Sequence, residues 1–113
     1  MAKVIVIAGG FDPICTEHVE YINYASELGD VLVVGVNSDE WLVRNKGQPF
    51  KPFEDRIISV QSIKIVDYAV PYNDRDDTYI DLIDWTTRVF PDHIILFDED
   101  ITNKINRIED YTS

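Results

Sequence analysis

Lys3-Val4-Ile5-Val6-Ile7-Ala8-Gly9-Gly10-Phe11-Asp12-Pro13-Ile14-Cys15-Thr16-Glu17-His18 joins an apolar run to a glycine turn and a polar segment. Its first five residues form a β-branched run without polar alternation after Lys3, the pattern of a strand buried on both faces of a parallel sheet. Ala8-Gly9-Gly10 ends the strand, and Asp12-Pro13 continues the turn. A helix is predicted over Glu17–Leu28, with Val19, Ile22, Ala25 and Leu28 on one side. Thr16 is its candidate N-cap and Gly29 its candidate C′ residue.

The alternation continues outward. Val31–Val36 reads as a second buried strand, and Asn37 or Ser38 as the cap of a short helix through Trp41 to about Arg44. Asn45–Lys51 is a loop. Pro52 fits the first position of a third helix reaching about Ile63, with Glu54 and Asp55 at its positive dipole end. Tyr68–Pro71 is a short strand and Tyr72–Asp77 a polar loop. Thr78 with Asp81 has capping-box spacing for a helix to Phe90. Pro91-Asp92 breaks that helix, and His93–Phe97 is the last predicted strand. Residues 98–113 are acidic and weakly periodic, and are assigned to a terminal helix. The implied fold is α/β: a Rossmann-like doubly wound parallel sheet in one three-layer domain spanning 1–113. Right-handed crossovers put the loop after the first strand at the carboxyl edge of the sheet, where ligands bind.

Composition narrows the function classes. The 113 residues are 45% hydrophobic and 27% charged, enough for one core and one domain. The net charge is −11, and from Asp67 onward 12 Asp and Glu face only Arg75, Arg88, Lys104 and Arg107. Such a surface repels nucleic acid and anionic membranes, so neither is an expected partner. It also opposes polyphosphates, so a phosphate site has to be local and helped by Mg²⁺. No apolar run approaches a membrane span, and Lys3–Ala8 is too short for the core of a signal peptide. The single cysteine, Cys15, excludes an internal disulfide framework and a cysteine-rich zinc site. A cytoplasmic location is expected.

Two glycines at a strand-to-helix junction let a ligand approach main-chain N–H groups, and the helix start adds partial positive charge. The segment is neither GxGxxG nor a Walker-type loop, since the terminal Gly-Lys-Ser/Thr is missing. By residue type alone it is either an anion cradle faced by His18 or a plain turn beside a surface histidine. Lys46 and Arg56 are likewise either phosphate contacts or solvated charges, with Asp55 or Asp39 as partners for Arg56. His93, at the start of a buried strand, is structural.

Gly9-Gly10-Phe11-Asp12-Pro13-Ile14 followed by His18 resembles the signature of the HxGH nucleotidyltransferases, the cytidylyltransferase-like enzymes. Colinear segments extend the resemblance: Leu28-Gly29-Asp30, Val36-Asn37-Ser38-Asp39, Lys46-Gly47, Pro49, Pro52, Glu54-Asp55-Arg56 and Val66-Asp67. Their order looks most like the sugar-phosphate adenylyltransferase branch, with glycerol-3-phosphate cytidylyltransferase as the nearest alternative. The resemblance implies transfer of CMP or AMP from CTP or ATP, with Mg²⁺, to a small phosphorylated alcohol or sugar. It implies His18 and Lys46 as catalytic residues. It implies Gly9, Gly10, Phe11, Asp12, Cys15, Arg56 and Asp98 as nucleotide-binding residues, with no protein metal ligand. It also implies a homodimer as a candidate assembly.

Three departures set a second hypothesis beside the first. Cys15 stands where the motif has its first histidine, and Glu17 where it has glycine. Leu96-Phe97-Asp98-Glu99-Asp100 keeps acid but not the glycines or lysine of the family's Gly-Gly-Asp segment. The late Ser-Thr-Thr motif has no counterpart. The alternative is a family member that binds nucleotide or phosphometabolite without efficient turnover.

Overall fold

A computed structural model describes residues 3–90, 93–97 and 108–112. In chain order the elements are β1 (Lys3–Gly9), α1 (Thr16–Ser26), β2 (Val31–Val36), α2 (Asp39–Lys46), α3 (Phe53–Gln61), β3 (Tyr68–Pro71), α4 (Ile80–Val89), β4 (His93–Phe97) and β5 (Ile108–Thr112). They form one sheet of order β3-β2-β1-β4-β5. β1 pairs in parallel with β2 and β4, and β2 with β3.

The side chains of β1 alternate between two cores, as a pleated strand requires. Ile5 and Ile7 join Leu32, Val34 and Val36 beneath Ile22 and Ala25 of α1 and Val60 of α3. Val4 and Val6 join Val33 and Ile94 beneath Leu82 of α4. The domain therefore has three layers, with α1 and α3 on one face and α4 on the other. The run Val4 to Ile7 has no exposed member because both faces are covered. The doubly wound α/β reading is borne out.

The C-terminal assignment is corrected. Residues 108–112 are not helical: they form β5, antiparallel to β4, with Phe97 opposite Ile108 and Ile95 opposite Asp110. The sheet is thus four parallel strands with an antiparallel edge, a common pattern in α/β domains. Residues 98–107 lie outside the described residues.

Two caps also differ from expectation. Cys15, not Thr16, is the N-cap of α1, in extended conformation at φ −139°. α4 begins after Tyr79, and the Asp81 carboxylate accepts the Asn73 N–H at 2.7 Å instead of closing a box with Thr78. Ser38 caps α2 as its type predicts, accepting the Trp41 N–H at 3.1 Å. α1 stops at Ser26, and Gly29 is not a left-handed cap; a Cβ there would lie 2.7 Å from the Lys3 carbonyl oxygen. Among the described residues no helix is long and apolar enough to cross a membrane.

Candidate functional site

From β1 the chain moves outward through β2 to β3, then returns past β1 to β4. The carboxyl end of β1 is therefore a topological switch point, where open α/β sheets form their ligand crevice. A cavity of about 440 Å³ opens there. Ala8 through Asp12 form one wall, and His18 and Tyr21 of α1 another. Asn37, Trp41, Leu42 and Lys46 enclose it from the β2–α2 side. Gln48, Phe50 and Tyr79 reach its rim.

The loop is held in an unusual conformation. Phe11 has φ 50°, in the left-handed region that β-carbon-bearing residues rarely occupy, and the residue is 3% exposed. That ring meets the His18 imidazole edge to face, with centroids 5.3 Å apart. Gly10 passes against α2 so closely that a Cβ would sit 2.8 Å from Leu42 Cδ2. Backbone at this position can approach a ligand only because no side chain intervenes.

His18 is the third residue of α1 and reaches back to its start. Its Nδ1 accepts the Cys15 main-chain N–H at 3.2 Å, and the Cys15 Sγ lies 3.3 Å from the same nitrogen. This is the imidazole half of a capping box, with histidine where Glu or Gln is usual. Cys15 does not line the cavity, although His18 does. Glu17 is also absent from the lining. Its carboxyl is held below the ordinary glutamate value by its own main-chain N–H, then by the Cys15 side chain and by His18. The charge that replaces the motif's glycine therefore serves the helix start.

Asp12 lines the cavity with both carboxylate oxygens engaged. They accept the N–H groups of Phe50 and Lys51 at 2.7 Å each. The loop that carries Gln48 and Phe50 is thereby fastened to the glycine turn. Gly47, at φ +99° with open space around it, lets the chain leave α2 toward that loop. Lys46, the last residue of α2, is exposed and lines the cavity.

Arg56 lies outside the cavity lining. It is 1% exposed, and its guanidinium fork is committed to protein acceptors. Nε donates to the Lys51 carbonyl, Nη1 to the carbonyls of Gly10 and Asn37, and Nη2 to Asp39 at 2.6 Å. Of the partners expected from sequence, the structure selects Asp39 over Asp55. Four of the five guanidinium N–H donors are engaged, so Arg56 braces three loop ends instead of reaching into the cavity.

A second brace was not legible in the sequence. Asp74, 3% exposed, accepts from Asn37 Nδ2, the Ser38 N–H and the Ser38 hydroxyl. Asn37 also donates to the Tyr72 hydroxyl at 2.8 Å. Burial, then Tyr79, pushes the Tyr72 phenol well above the usual tyrosine range. Only the family-like Asn37-Ser38 pair hinted at this network; nothing marked Asp74 or Tyr72. Trp41, Tyr21, Phe50 and Tyr79 likewise became site residues only in three dimensions. Asp98 lies outside the described residues.

The chemistry follows from this inventory. The described lining offers the Lys46 ammonium, the His18 imidazole, a glycine turn and a helix start, all suited to an anion. Among the described residues Asp12 is the one carboxylate of the lining, and both of its oxygens are occupied. Among the described residues no three His, Cys, Asp or Glu side chains converge as a metal site.

The cytidylyltransferase-like family model matches residues 6–112. The chain belongs to the cytidylyltransferase-like family. It is 41% identical over 83 residues to the bifunctional protein HldE of Sulfurimonas denitrificans, covering 72% of this chain and 17% of that protein. The corresponding protein of Campylobacter concisus is 39% identical over 95 residues, covering 82% of this chain and 19% of its own length. The chain thus spans less than a fifth of these relatives. A crystal structure described as the lipopolysaccharide core biosynthesis protein from Thermoplasma volcanium GSS1 superposes with a TM-score of 0.70. It is 28% identical, with 98% of this chain and 99% of that chain covered.

Proposed function

We propose that this domain transfers CMP or AMP from a nucleoside triphosphate to the phosphate of a small phosphorylated alcohol or sugar. The observation that carries the reading is the cavity at the carboxyl end of β1. It gathers Lys46, His18 and the glycine turn, and the Asp12 carboxylate beside them is tied up by the Phe50 and Lys51 N–H groups. An oxygen of the acceptor phosphate attacks the α-phosphorus. The bond between the α-phosphorus and the bridging oxygen breaks, and pyrophosphate leaves with that electron pair. An ionised phosphate needs no general base, so the protein's work is alignment and charge neutralisation. His18 donates to the α-phosphate and Lys46 meets phosphate oxygens as a point charge. Main-chain N–H groups near Gly10 and Phe11 complete the cradle, with Gly9 giving close access. Asp12 and Arg56 keep the cradle's shape.

Mg²⁺ would arrive on the triphosphate, bound mainly by phosphate oxygens and water, and would neutralise part of the charge. The motif order supports the sugar-phosphate branch and hence ATP as donor. Cytoplasmic location accords with such a substrate.

Cys15 favours a second reading. Its thiol faces His18 Nδ1 and not the cavity, so the donor that the motif's first histidine supplies is missing. Losing one preorganised donor costs on the order of 10²–10³ in rate. Calorimetry with Mg·ATP and Mg·CTP, followed by pyrophosphate release over a panel of phosphosugars and phosphoalcohols, separates the readings. Binding with release supports transfer. Binding without release supports the nucleotide-binding alternative. No binding of either nucleotide overturns both.

A further inference from the structure

We infer that the main chain of Cys15 acts as a positioning group that fixes His18 in one tautomer, so that the imidazole offers the cavity an uncharged Nε2–H donor. A backbone N–H can only donate, so the Nδ1 it meets at 3.2 Å carries no proton. The proton of the neutral ring then sits on Nε2. The Cys15 Sγ, 3.3 Å from the same Nδ1, closes that side of the ring against other partners. Phe11 limits rotation from a third direction, its own ring buried and its backbone in the left-handed region. His18 lines the cavity while Cys15 does not; with Nδ1 engaged by Cys15, Nε2 is the ring nitrogen left to a ligand there.

This separates the roles of the two candidate catalytic side chains. Among the described residues Lys46 is the formal cation of the cavity lining, and His18 is a directional donor without net charge. That division suits transfer between phosphates, in which nothing must be protonated for pyrophosphate to leave. What the Nε2–H addresses rests on the nucleotidyl-transfer reading; the tautomer itself rests on geometry alone.

The full chain, labelled with ¹⁵N-histidine, tests the tautomer by long-range ¹H–¹⁵N correlation at neutral pH. The chain has two histidines, and the spectrum of His18→Gln assigns them. Expected is a bare Nδ1 and a protonated Nε2 for His18. A proton on Nδ1, or rapid averaging between tautomers, overturns the inference. A second arm compares His18→Gln with His18→Asn for Mg·ATP binding, because the Gln amide nitrogen reaches where Nε2 lies and the Asn nitrogen does not. Gln should bind at least about tenfold more tightly than Asn, the equivalent of one charge-assisted hydrogen bond. Equal affinities, or Asn the tighter, overturn the donor role. If the unmodified protein binds neither nucleotide, the proposed function falls and the spectrum alone decides the tautomer.

Discussion

Asp12 grips Phe50 across 38 positions of sequence, its Oδ2 accepting the Phe50 N–H at 2.7 Å while Oδ1 accepts that of Lys51. One carboxylate thus fixes the spacing between the glycine turn and the loop that follows Lys46. Asp12→Asn keeps one acceptor but turns an amide N–H toward a main-chain N–H. The expected loss is about 1–2 kcal/mol in urea unfolding, the scale of a charged hydrogen bond replaced by a repulsive contact. Affinity for Mg·ATP should fall with it. Unchanged stability would show that the grip contributes nothing to holding the loop.

Arg56→Lys tests the second brace. A lysine ammonium cannot reproduce the fork that joins Gly10, Asn37, Lys51 and Asp39. It leaves buried carbonyls short of donors, at an expected cost of about 2–4 kcal/mol; the half-exposed Asp39 keeps the figure below that of a fully buried pair. Thermal unfolding measures it, and a melting temperature equal to that of the parent chain would refute the bracing role.

These two residues also mark the limit of sequence reading. His18 and Lys46 were singled out through the family-like motifs that contain them; by residue type alone each read equally as a surface side chain, and the structure places both on the cavity lining. Asp12 and Arg56 were legible as important but not as braces. Their acceptors and donors lie up to 46 residues away, and local patterns do not encode such pairings. β1 and β2 follow from apolar runs buried on both faces, whereas β3 has one buried residue and was marked by its place between the helix before it and the polar loop after it. β5 was missed because Ile108-Glu109-Asp110-Tyr111-Thr112 has little apolar content, and its strand state comes from pairing with β4. The Cys15 cap was missed because cysteine is not a usual capping residue; here the imidazole of His18 supplies the acceptor.

Lys46→Ala should leave the fold intact, since the side chain is exposed and ends its helix. Nucleotide affinity should drop by about tenfold, the loss of roughly one charged phosphate contact. Calorimetry gives the answer, and an affinity within twofold of the parent would remove Lys46 from the proposed machinery.

Acid should weaken the start of α1. The Glu17 carboxyl lies below the ordinary 4.5 through its main-chain hydrogen bond, the Cys15 side chain and His18. A carboxyl lowered in the folded state contributes stability that is fully present above its unfolded value and is lost as pH falls through the lower folded value. Glu17→Gln should therefore reduce the loss of stability between neutral pH and the region below 4.5. Urea midpoints for both proteins across that range provide the comparison, and parallel pH profiles would count against a folded-state role for this carboxylate.

Gly10→Ala asks whether the cradle tolerates a side chain. The new methyl would meet Leu42 Cδ2 at 2.8 Å, and Leu42 is buried, so the contact cannot be relieved into solvent. Overpacking of this kind costs about 1–3 kcal/mol. A general loss of glycine flexibility would cost the same whatever stands at position 42. A steric clash would not, because truncating Leu42 removes the obstructing atom. The double-mutant cycle with Leu42→Ala separates the two. A favourable coupling of about 1 kcal/mol assigns the cost to the contact with α2. Additive effects would mean that Gly10 is required for its backbone conformation alone.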